Sequence, residues 1–253
     1  MTYDVTFHPS WWNRNTGVRF TEDFFDDPQY RIESDIKMRK CLFDKFGKWG
    51  MGEEAPEPRP ILGSDLIASG YLYSQLLGCE IRFSEAAPPE VICPAISMEQ
   101  SKTLEACKLP DSEVWKKTEE QILFLQKEYG FVISAINLQG ILNLALDLRG
   151  DSVFVDMYTE PEAVRNLLEQ CFKLSVDVGT RLSEVSKYLS GGVTAITNKT
   201  NLPGLYVHSN CSVEMVSLEC YRDFLLEYDV KLSEMFQPCA PLRTEYGACF
   251  RRL

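Results

Sequence analysis

The sequence predicts an α/β protein in which a parallel sheet is covered by helices. Three observations support this fold class. From Phe131 onward, short apolar runs alternate with helical stretches, as expected of a parallel sheet with helices outside. The longer helical stretches carry an apolar stripe with charged residues opposite it. The chain has 253 residues, of which 45% are hydrophobic, and this is enough for one large core or two small ones.

The N-terminal part predicts a helix, a loop and the first strand. Helical spacing begins at Thr21, with an apolar stripe from Ile32 to Phe46, and Gly47 can end that helix. Residues 50–60 contain three prolines among polar residues, which predicts a loop. Residues 60–78 are apolar and predict the end of a strand followed by a helix.

The middle of the chain continues with strands and helices. Two strand-like segments lie between Ile81 and Pro94, separated by a proline pair. A strongly amphipathic helix is predicted from Ser112 to Tyr129, and Ser112 can cap it. The apolar run at 131–140 predicts a strand. Further helices are expected over 143–150 and from Pro161 to Leu189.

The C-terminal part is less regular. Apolar runs at 191–197 and 204–210 alternate with the helices, and residues 217–236 predict a helix. The tail at 237–253 follows that helix and has no strand pattern.

Charge and composition exclude several classes of function. The formal charge of −11 repels nucleic acid and anionic lipid surfaces. No apolar run approaches the roughly 20 residues of a membrane span, and the first residues lack the features of a secretion signal. We therefore expect a cytoplasmic protein with no nucleic-acid or membrane partner.

Cysteine and histidine content limits the metal chemistry. The nine cysteines are scattered and include no Cys-x-x-Cys pair, so most are expected to be reduced thiols in the interior. Only His8 and His208 are available, which excludes any site that needs several imidazoles. The residues by themselves predict no metal site.

Polar residues collect where predicted strands end. Asp65 could accept hydrogen bonds from N–H groups of a ligand, or it could cap the helix that follows. Asn137, Gln139 and Asn143 follow a second apolar run, where barrel enzymes place substrate contacts. Amides suit recognition, although turn chemistry around Gly140 explains the same residues.

The richest group follows the run at 204–207. His208, Cys211 and Glu214 lie within seven residues and could supply an acid/base pair or metal ligands, while a structural turn is the alternative. We expect His208 and Asp65 to be catalytic, and Asn210 and Glu214 to contact substrate.

Two further residues have two interpretations each. Trp12 could cover a planar ligand, or it could anchor the N-terminal segment onto the core. Arg149 could bind a carboxylate or phosphate of the substrate, or it could form a salt bridge at a helix end.

Three segments resemble the uroporphyrinogen decarboxylase superfamily, which includes the decarboxylase of haem biosynthesis and methyltransferases that serve corrinoid proteins. They are GSDL at 63–66, INLQGILNLALDLRG with PEAVRNLLEQC at 136–171, and the helix at 217–236. The resemblance implies a TIM-type (β/α)8 barrel of that superfamily, incomplete at its C-terminal end. It implies an N-terminal extension at 1–60 that packs on a barrel domain at 61–253, from which the last strands are missing.

The resemblance is closer to the methyltransferase branch. It implies transfer of a methyl group between a corrinoid protein and a small acceptor, with Asp65, Gln139, Asn143 and His208 at the barrel mouth. Zinc and a corrinoid are the cofactors implied for a full-length member, and this chain encodes neither of them securely. The family's His-x-Cys zinc ligands are expected within 238–250, where no histidine occurs, so either this member lost the metal or the reading frame changed there.

Two alternatives remain open at this point. One is a carboxy-lyase of tetrapyrrole metabolism, although residues 8–17 lack the arginine-rich clamp that the family's decarboxylases use for substrate carboxylates. The other is a truncated, catalytically inactive member of the family.

Overall fold

A computed structural model describes residues 5–189, 206–236 and 239–242 of the chain. In this part, helices pack around short parallel strands, so the predicted α/β class is confirmed. Among the same residues, no helix combines the length and the apolar character that crossing a membrane requires.

The helices account for most of the described chain. They are α1 (Pro9–Thr16), α2 (Glu22–Asp26), α3 (Pro28–Phe46), α4 (Leu72–Leu76), α5 (Met98–Thr103), α6 (Glu113–Tyr129), α7 (Ile141–Arg149), α8 (Ser152–Thr159), α9 (Pro161–Val185), α10 (Leu218–Cys220) and α11 (Leu226–Met235). A π-helical turn at Tyr221–Leu225 joins α10 to α11. The helix predicted over 217–236 is therefore confirmed, with one irregular turn inside it.

The strands are short. They are β1 (Ile61–Gly63), β2 (Glu80–Ser84), β3 (Ala87–Ile92), β4 (Ile133–Ala135), β5 (Tyr188–Leu189), β6 (Tyr206–Ser209) and β7 (Cys239–Leu242). β4 lies between β1 and β5 in a parallel sheet, β6 pairs with β7 in parallel, and β2 and β3 form an antiparallel hairpin. The described strands do not close into a ring, so the barrel implied by the resemblance stays a prediction.

Gly63 explains how closely β1 approaches β4. Its φ is +81°, and a Cβ at this position would lie 2.5 Å from the carbonyl oxygen of Ala135. Only glycine adopts this conformation without strain and leaves room for the neighbouring strand. The first residue of the GSDL motif is thus fixed by the backbone geometry of the sheet.

Local sequence signals set the ends of the main helices. Asp27 accepts hydrogen bonds from the N–H groups of Gln29 and Tyr30, and Pro28 occupies the first position of α3. Ser112 caps α6, as predicted, by accepting from the N–H of Trp115 at 3.3 Å.

Three expectations about element bounds are wrong. α9 ends at Val185, and the last residues of the predicted helix form β5, because backbone pairing with β4 competes with the helix there. The proline pair lies inside β3, next to an irregularity in the pairing with β2. Proline has no backbone N–H, and at this irregularity no hydrogen bond between the strands is lost. β7 lies in the tail that shows no strand pattern, since pairing with β6 uses backbone groups and needs no apolar side chains.

The buried apolar residues form two clusters. The larger one packs α4, α6, α7, α9 and the helical run at 218–235 around the parallel sheet. The smaller one, which we call the N-terminal cluster, joins α1, α2 and α3 to the segment after β1; its members are Trp12, Val18, Phe20, Phe24, Phe25, Met38, Leu42, Leu66 and Ile67. Four aromatic side chains from the part of the chain before residue 60 are therefore buried next to the start of the sheet: Trp12, Phe20, Phe24 and Phe25.

Candidate functional site

The polar runs that follow β4 and β6 meet side by side. The N–H of Ser209 donates to the carbonyl of Leu138 at 2.7 Å, and Gln139 and Ser209 form a parallel bridge. The Ser209 hydroxyl also donates to the side-chain oxygen of Asn137 at 3.1 Å. The structure thus brings together two of the strand ends that the sequence marks as polar.

Gly140 makes this approach possible. A Cβ at this position would lie 2.4 Å from the carbonyl oxygen of Ser209 and 2.8 Å from the Asn210 side-chain oxygen. A larger residue would push the end of β6 away from the start of α7. The glycine therefore has a packing role at the site, beyond ordinary turn chemistry.

Four side chains at the end of β6 form what we call the histidine cluster: His208, Asn210, Tyr221 and Asp229. The Asn210 amide donates to both carboxylate oxygens of Asp229, at 3.3 and 3.1 Å, and the Tyr221 hydroxyl donates to one of them at 2.7 Å. His208 is only 2% exposed. It lies close enough to Asp229 for the two charges to interact.

Burial shifts the pKa values of His208 and Asp229 in opposite directions. It lowers the pKa of His208, and the charge of Asp229 offsets part of that effect. It raises the pKa of Asp229, and His208, Tyr221 and Asn210 offset part of that effect. The pKa values of His208 and Asp229 are therefore shifted towards each other, and each charge favours the charged form of the other group. Such pairs are suited to acid/base chemistry.

The π-helical turn aligns the histidine cluster. Tyr221 and Asp229 are eight residues apart, whereas about seven residues make two turns of an α-helix. The extra residue of the π turn brings both side chains onto one face. Such turns inside helices frequently occur at functional sites.

A second buried polar group approaches from the side of α7. The Gln139 amide donates to the carboxylate of Asp147 at 2.8 Å, and the Ser74 hydroxyl donates to the same carboxylate. Burial raises the pKa of Asp147, and these two hydrogen bonds offset part of the effect. Gln139 is thus held in one orientation at the end of β4.

Asn143 and Glu214 lie on or beside the turn that follows β6. Asn143 donates to the sulfur of Cys211 at 3.1 Å and accepts from the N–H of Ser212 at 3.2 Å. These contacts fix the 3-10 turn Cys211–Met215. Glu214 is exposed on that turn. Asn143 therefore shapes the rim of the site.

Asp65 belongs to a different buried group, which we call the arginine cluster: Asp35, Arg39, Arg59 and Asp65. Arg59 donates to both carboxylate oxygens of Asp65, at 3.0 and 2.9 Å, and also binds Asp35. Arg39 donates to Asp35 at 2.7 Å. Burial alone would lower the pKa of Arg59, but the charges and hydrogen bonds of Asp35 and Asp65 raise it. The Asp65 carboxylate thus neutralises a buried arginine.

Trp12 and Arg149 have partners within the protein. Trp12 is fully buried in the N-terminal cluster, and its indole N–H donates to the carbonyl of Phe7 at 3.1 Å. Arg149 ends α7, where it donates to Asp156 at 2.8 Å and to the carbonyl of Ile96 at 2.7 Å. These contacts agree with Trp12 as an anchor of the N-terminal segment and with Arg149 as part of a salt bridge at a helix end.

A cavity of about 280 Å³ opens where β1 and β4 end. Gly63 and Ile136, the last residue of β1 and the first after β4, line it. Its walls combine aromatic rings with polar side chains, including Phe25, Tyr71, Phe83, Gln75, Thr118 and Gln121. This volume lies at the lower end of the range for small-molecule pockets.

The donor groups of the described residues do not fit zinc. In this part of the chain, His, Cys, Asp and Glu side chains form no group of three or more that could hold a metal ion. Cys249 lies outside the described residues.

Sequence reasoning missed Asp229, Tyr221, Asp147 and Ser74. A signal for Asp229 is present in the sequence: it lies between the buried residues Leu225 and Leu232 on the apolar face of the last helix. A carboxylate on such a face requires partners in the interior. The identity of those partners depends on residues far apart in the chain.

No protein-family model and no curated protein sequence matches this chain. A solved structure, however, is similar to this chain in fold. The chain shares its fold with a methyltransferase from Methanosarcina mazei, with a TM-score of 0.60 and 13% sequence identity. The match covers 93% of this chain and 61% of that methyltransferase, so the chain spans about three fifths of its length. At this identity, the similarity concerns the fold.

Proposed function

We propose that this chain is a methyltransferase that binds a small acceptor at the carboxyl ends of its parallel strands and uses His208 to accept the acceptor's proton. The observation that carries the proposal is the histidine cluster, in which a buried histidine and a half-buried aspartate lie together at a strand end. The fold shared with a methyltransferase supports the type of reaction.

The chemistry of methyl transfer explains why such a pair is useful. When a thiol accepts a methyl group, the bond between the methyl group and its donor breaks and leaves its electron pair on the donor. An S–C bond forms and the S–H bond breaks, so a proton must leave the sulfur. Neutral His208 carries a lone pair that can take that proton. Asp229 then stabilises the imidazolium, while Asn210 and Tyr221 hold the carboxylate in place.

The methyl donor in this proposal is a corrinoid on a partner protein, which supplies a methyl group bonded to cobalt. The proposed site for the small acceptor lies where the ends of β4 and β6 meet, beside the histidine cluster. The 280 Å³ cavity at the ends of β1 and β4 is lined by none of that cluster. No step through zinc is proposed, because the described residues offer no donor set for it.

The buried arginines do not favour a porphyrinogen decarboxylase. Arg31 donates to the carbonyls of Ile61 and Phe25 and to the Gln121 side chain, and burial lowers its pKa to about 10. Arg39 and Arg59 are bound to carboxylates of the arginine cluster. These guanidinium groups are hydrogen-bonded to groups inside the protein. A clamp for several substrate carboxylates must instead face the ligand.

The test is a transfer assay with methylcobalamin as donor and 2-mercaptoethanol as acceptor, followed by loss of methylcobalamin absorbance. We expect His208→Gln to lower kcat by about 100-fold or more, because a positioned base contributes roughly that factor. Glu219→Gln, at an exposed position near the same helix run, is the matched control and should equal the wild type.

Two results would contradict the proposal. If the wild-type chain transfers no methyl group above the protein-free rate, the inactive-member alternative is favoured. If His208→Gln and Glu219→Gln are equally active, the histidine cluster is not the proton acceptor.

A further inference from the structure

We propose that Cys79 and Cys93 are a redox pair that closes into a disulfide when the protein meets an oxidised low-molecular-weight disulfide such as oxidised glutathione. Cys79 directly precedes β2, and Cys93 directly follows β3. Both are free thiols in the structure. This inference is independent of the proposed methyl transfer.

The register of the hairpin places the two cysteines opposite each other. Glu80 faces Ile92 and Ile81 faces Val91. Continuing this register by one residue beyond the paired strands sets Cys79 against Cys93. Facing residues of an antiparallel pair point to the same side of the sheet. The hairpin thus directs both thiols to one face.

The spacing at this position suits a disulfide. The N–H of Cys79 donates to the carbonyl of Ser74 at 2.9 Å and not across the hairpin, which makes the position a non-hydrogen-bonded one. Cα atoms of such pairs stand about 4.5 Å apart. Disulfides bridge Cα separations of roughly 4.4 to 6.8 Å, so closure needs little backbone movement.

The sulfur contacts agree with the register. The Cys79 thiol donates to the carbonyl of Asp147 at 3.7 Å, and the Cys93 thiol donates to the carbonyl of Leu146 at 3.8 Å. Because these acceptors belong to consecutive residues of α7, the two sulfurs meet the same end of one helix. The thiol contacts thus agree with the extended register in bringing both cysteines to one end of α7.

Exposure assigns a different role to each thiol. Cys93 is exposed, whereas Cys79 is only 4% exposed. Burial is the main cause that raises the pKa of Cys79 to about 12, and the charges of Asp147 and Cys93 add to it. The Cys93 thiolate attacks oxidised glutathione, forming a mixed disulfide and releasing one glutathione thiolate. Cys79 then loses its proton to that thiolate and attacks the Cys93 sulfur, which releases the second glutathione. Two protein thiols are oxidised, and one glutathione disulfide is reduced to two thiols.

Closure would act on the neighbourhood of the candidate site. It removes both S–H donors from the end of α7, where the Asp147 carboxylate holds Gln139. It also ties the hairpin that carries Phe83, a wall of the cavity. The oxidation state of this pair therefore bears on the shape of the site.

The test uses the full chain, incubated with oxidised glutathione, alkylated, digested with trypsin and analysed by mass spectrometry. Arg82 lies between the cysteines, so trypsin gives peptides 49–82 and 83–102, each with a single cysteine. We expect these peptides to be joined, with a mass lower by two hydrogen atoms than their sum, and to separate on addition of dithiothreitol.

Variants make the result specific. Cys93→Ser should abolish the joined peptide, Cys107→Ser should retain it, and Cys79→Ser should stop at a glutathione adduct on Cys93. If the wild type gives only free thiols, or only the glutathione adduct on Cys93, the proposed pair is wrong. Retention of a joined peptide containing Cys79 in Cys93→Ser would also overturn it.

Discussion

The arginine cluster beside β1 and the histidine cluster after β6 are both buried groups of ionisable side chains, but they balance charge differently. In the arginine cluster, both oxygens of Asp65 bind Arg59, and the paired charges raise the arginine's pKa against the effect of burial. In the histidine cluster, burial shifts His208 and Asp229 towards their neutral forms. The first arrangement holds charges in place, whereas the second leaves a proton that can move.

The largest expected effect comes from breaking the arginine cluster. Arg59→Met should lower the free energy of unfolding by about 3–5 kcal/mol, because it leaves Asp65 buried without its counter-charge and Asp35 with Arg39 alone. Chemical denaturation measures this change.

The matched control is Arg82→Met, whose guanidinium pairs with Glu90 on the surface with side chains 62% and 60% exposed. An exposed ion pair contributes less than about 1 kcal/mol, so this variant should stay near the wild type. Equal costs for both variants would contradict the structural role given to Arg59.

A smaller effect is expected at Trp12, which the sequence offered as a substrate contact. Trp12→Phe should cost about 2 kcal/mol of stability, since it leaves a small void and removes the donor for the carbonyl of Phe7. Trp49→Phe, at a residue 60% exposed, should change stability by no more than about 0.5 kcal/mol. A rise in KM for the acceptor in Trp12→Phe, measured below the melting transition, would instead restore Trp12 as a substrate contact.

The smallest expected effect is a pH dependence of stability that comes from His208. Its pKa in the folded protein lies below the ordinary value of 6.5. As pH falls below about 6.5, the unfolded chain binds a proton that the folded chain does not, so stability is lost. The loss is at most about 1.4 kcal/mol per unit of pKa difference.

Thermal unfolding of wild type and His208→Gln between about pH 7 and pH 5 checks this expectation, because the window follows from the direction of the shift. The wild type should lose stability more steeply than the variant as pH falls. Parallel curves would mean that burial does not disfavour the charged form of His208.

Much of the secondary structure could be predicted from the sequence. Long amphipathic stretches such as α6 signal their own ends, as Ser112 does by capping the first turn. The short helices α1, α5 and α8 went unpredicted, because a helix of six to eight residues has too few positions for an apolar stripe. For α5 a signal existed: Ser97 and Gln100 form a capping box.

The candidate site was predictable only in part. His208, Asn210 and Gln139 follow apolar runs, and the structure places all three at strand ends that meet. Asp65 also follows such a run, but its pairing with Arg59 could not be read from spacing, because the arginine precedes the strand and the carboxylate follows it. Asp229 joins His208 from a later helix, so tertiary packing alone makes it a partner.

The sequence by itself determined the α/β class, the longer helices and the polar composition of the strand ends, because periodicity, capping and turn chemistry act between residues close in the chain. Only the tertiary structure decided which polar groups share a site and which are neutralised by a buried counter-charge. Those outcomes depend on burial and on distances between residues far apart in sequence, and both are fixed only when helices and strands pack.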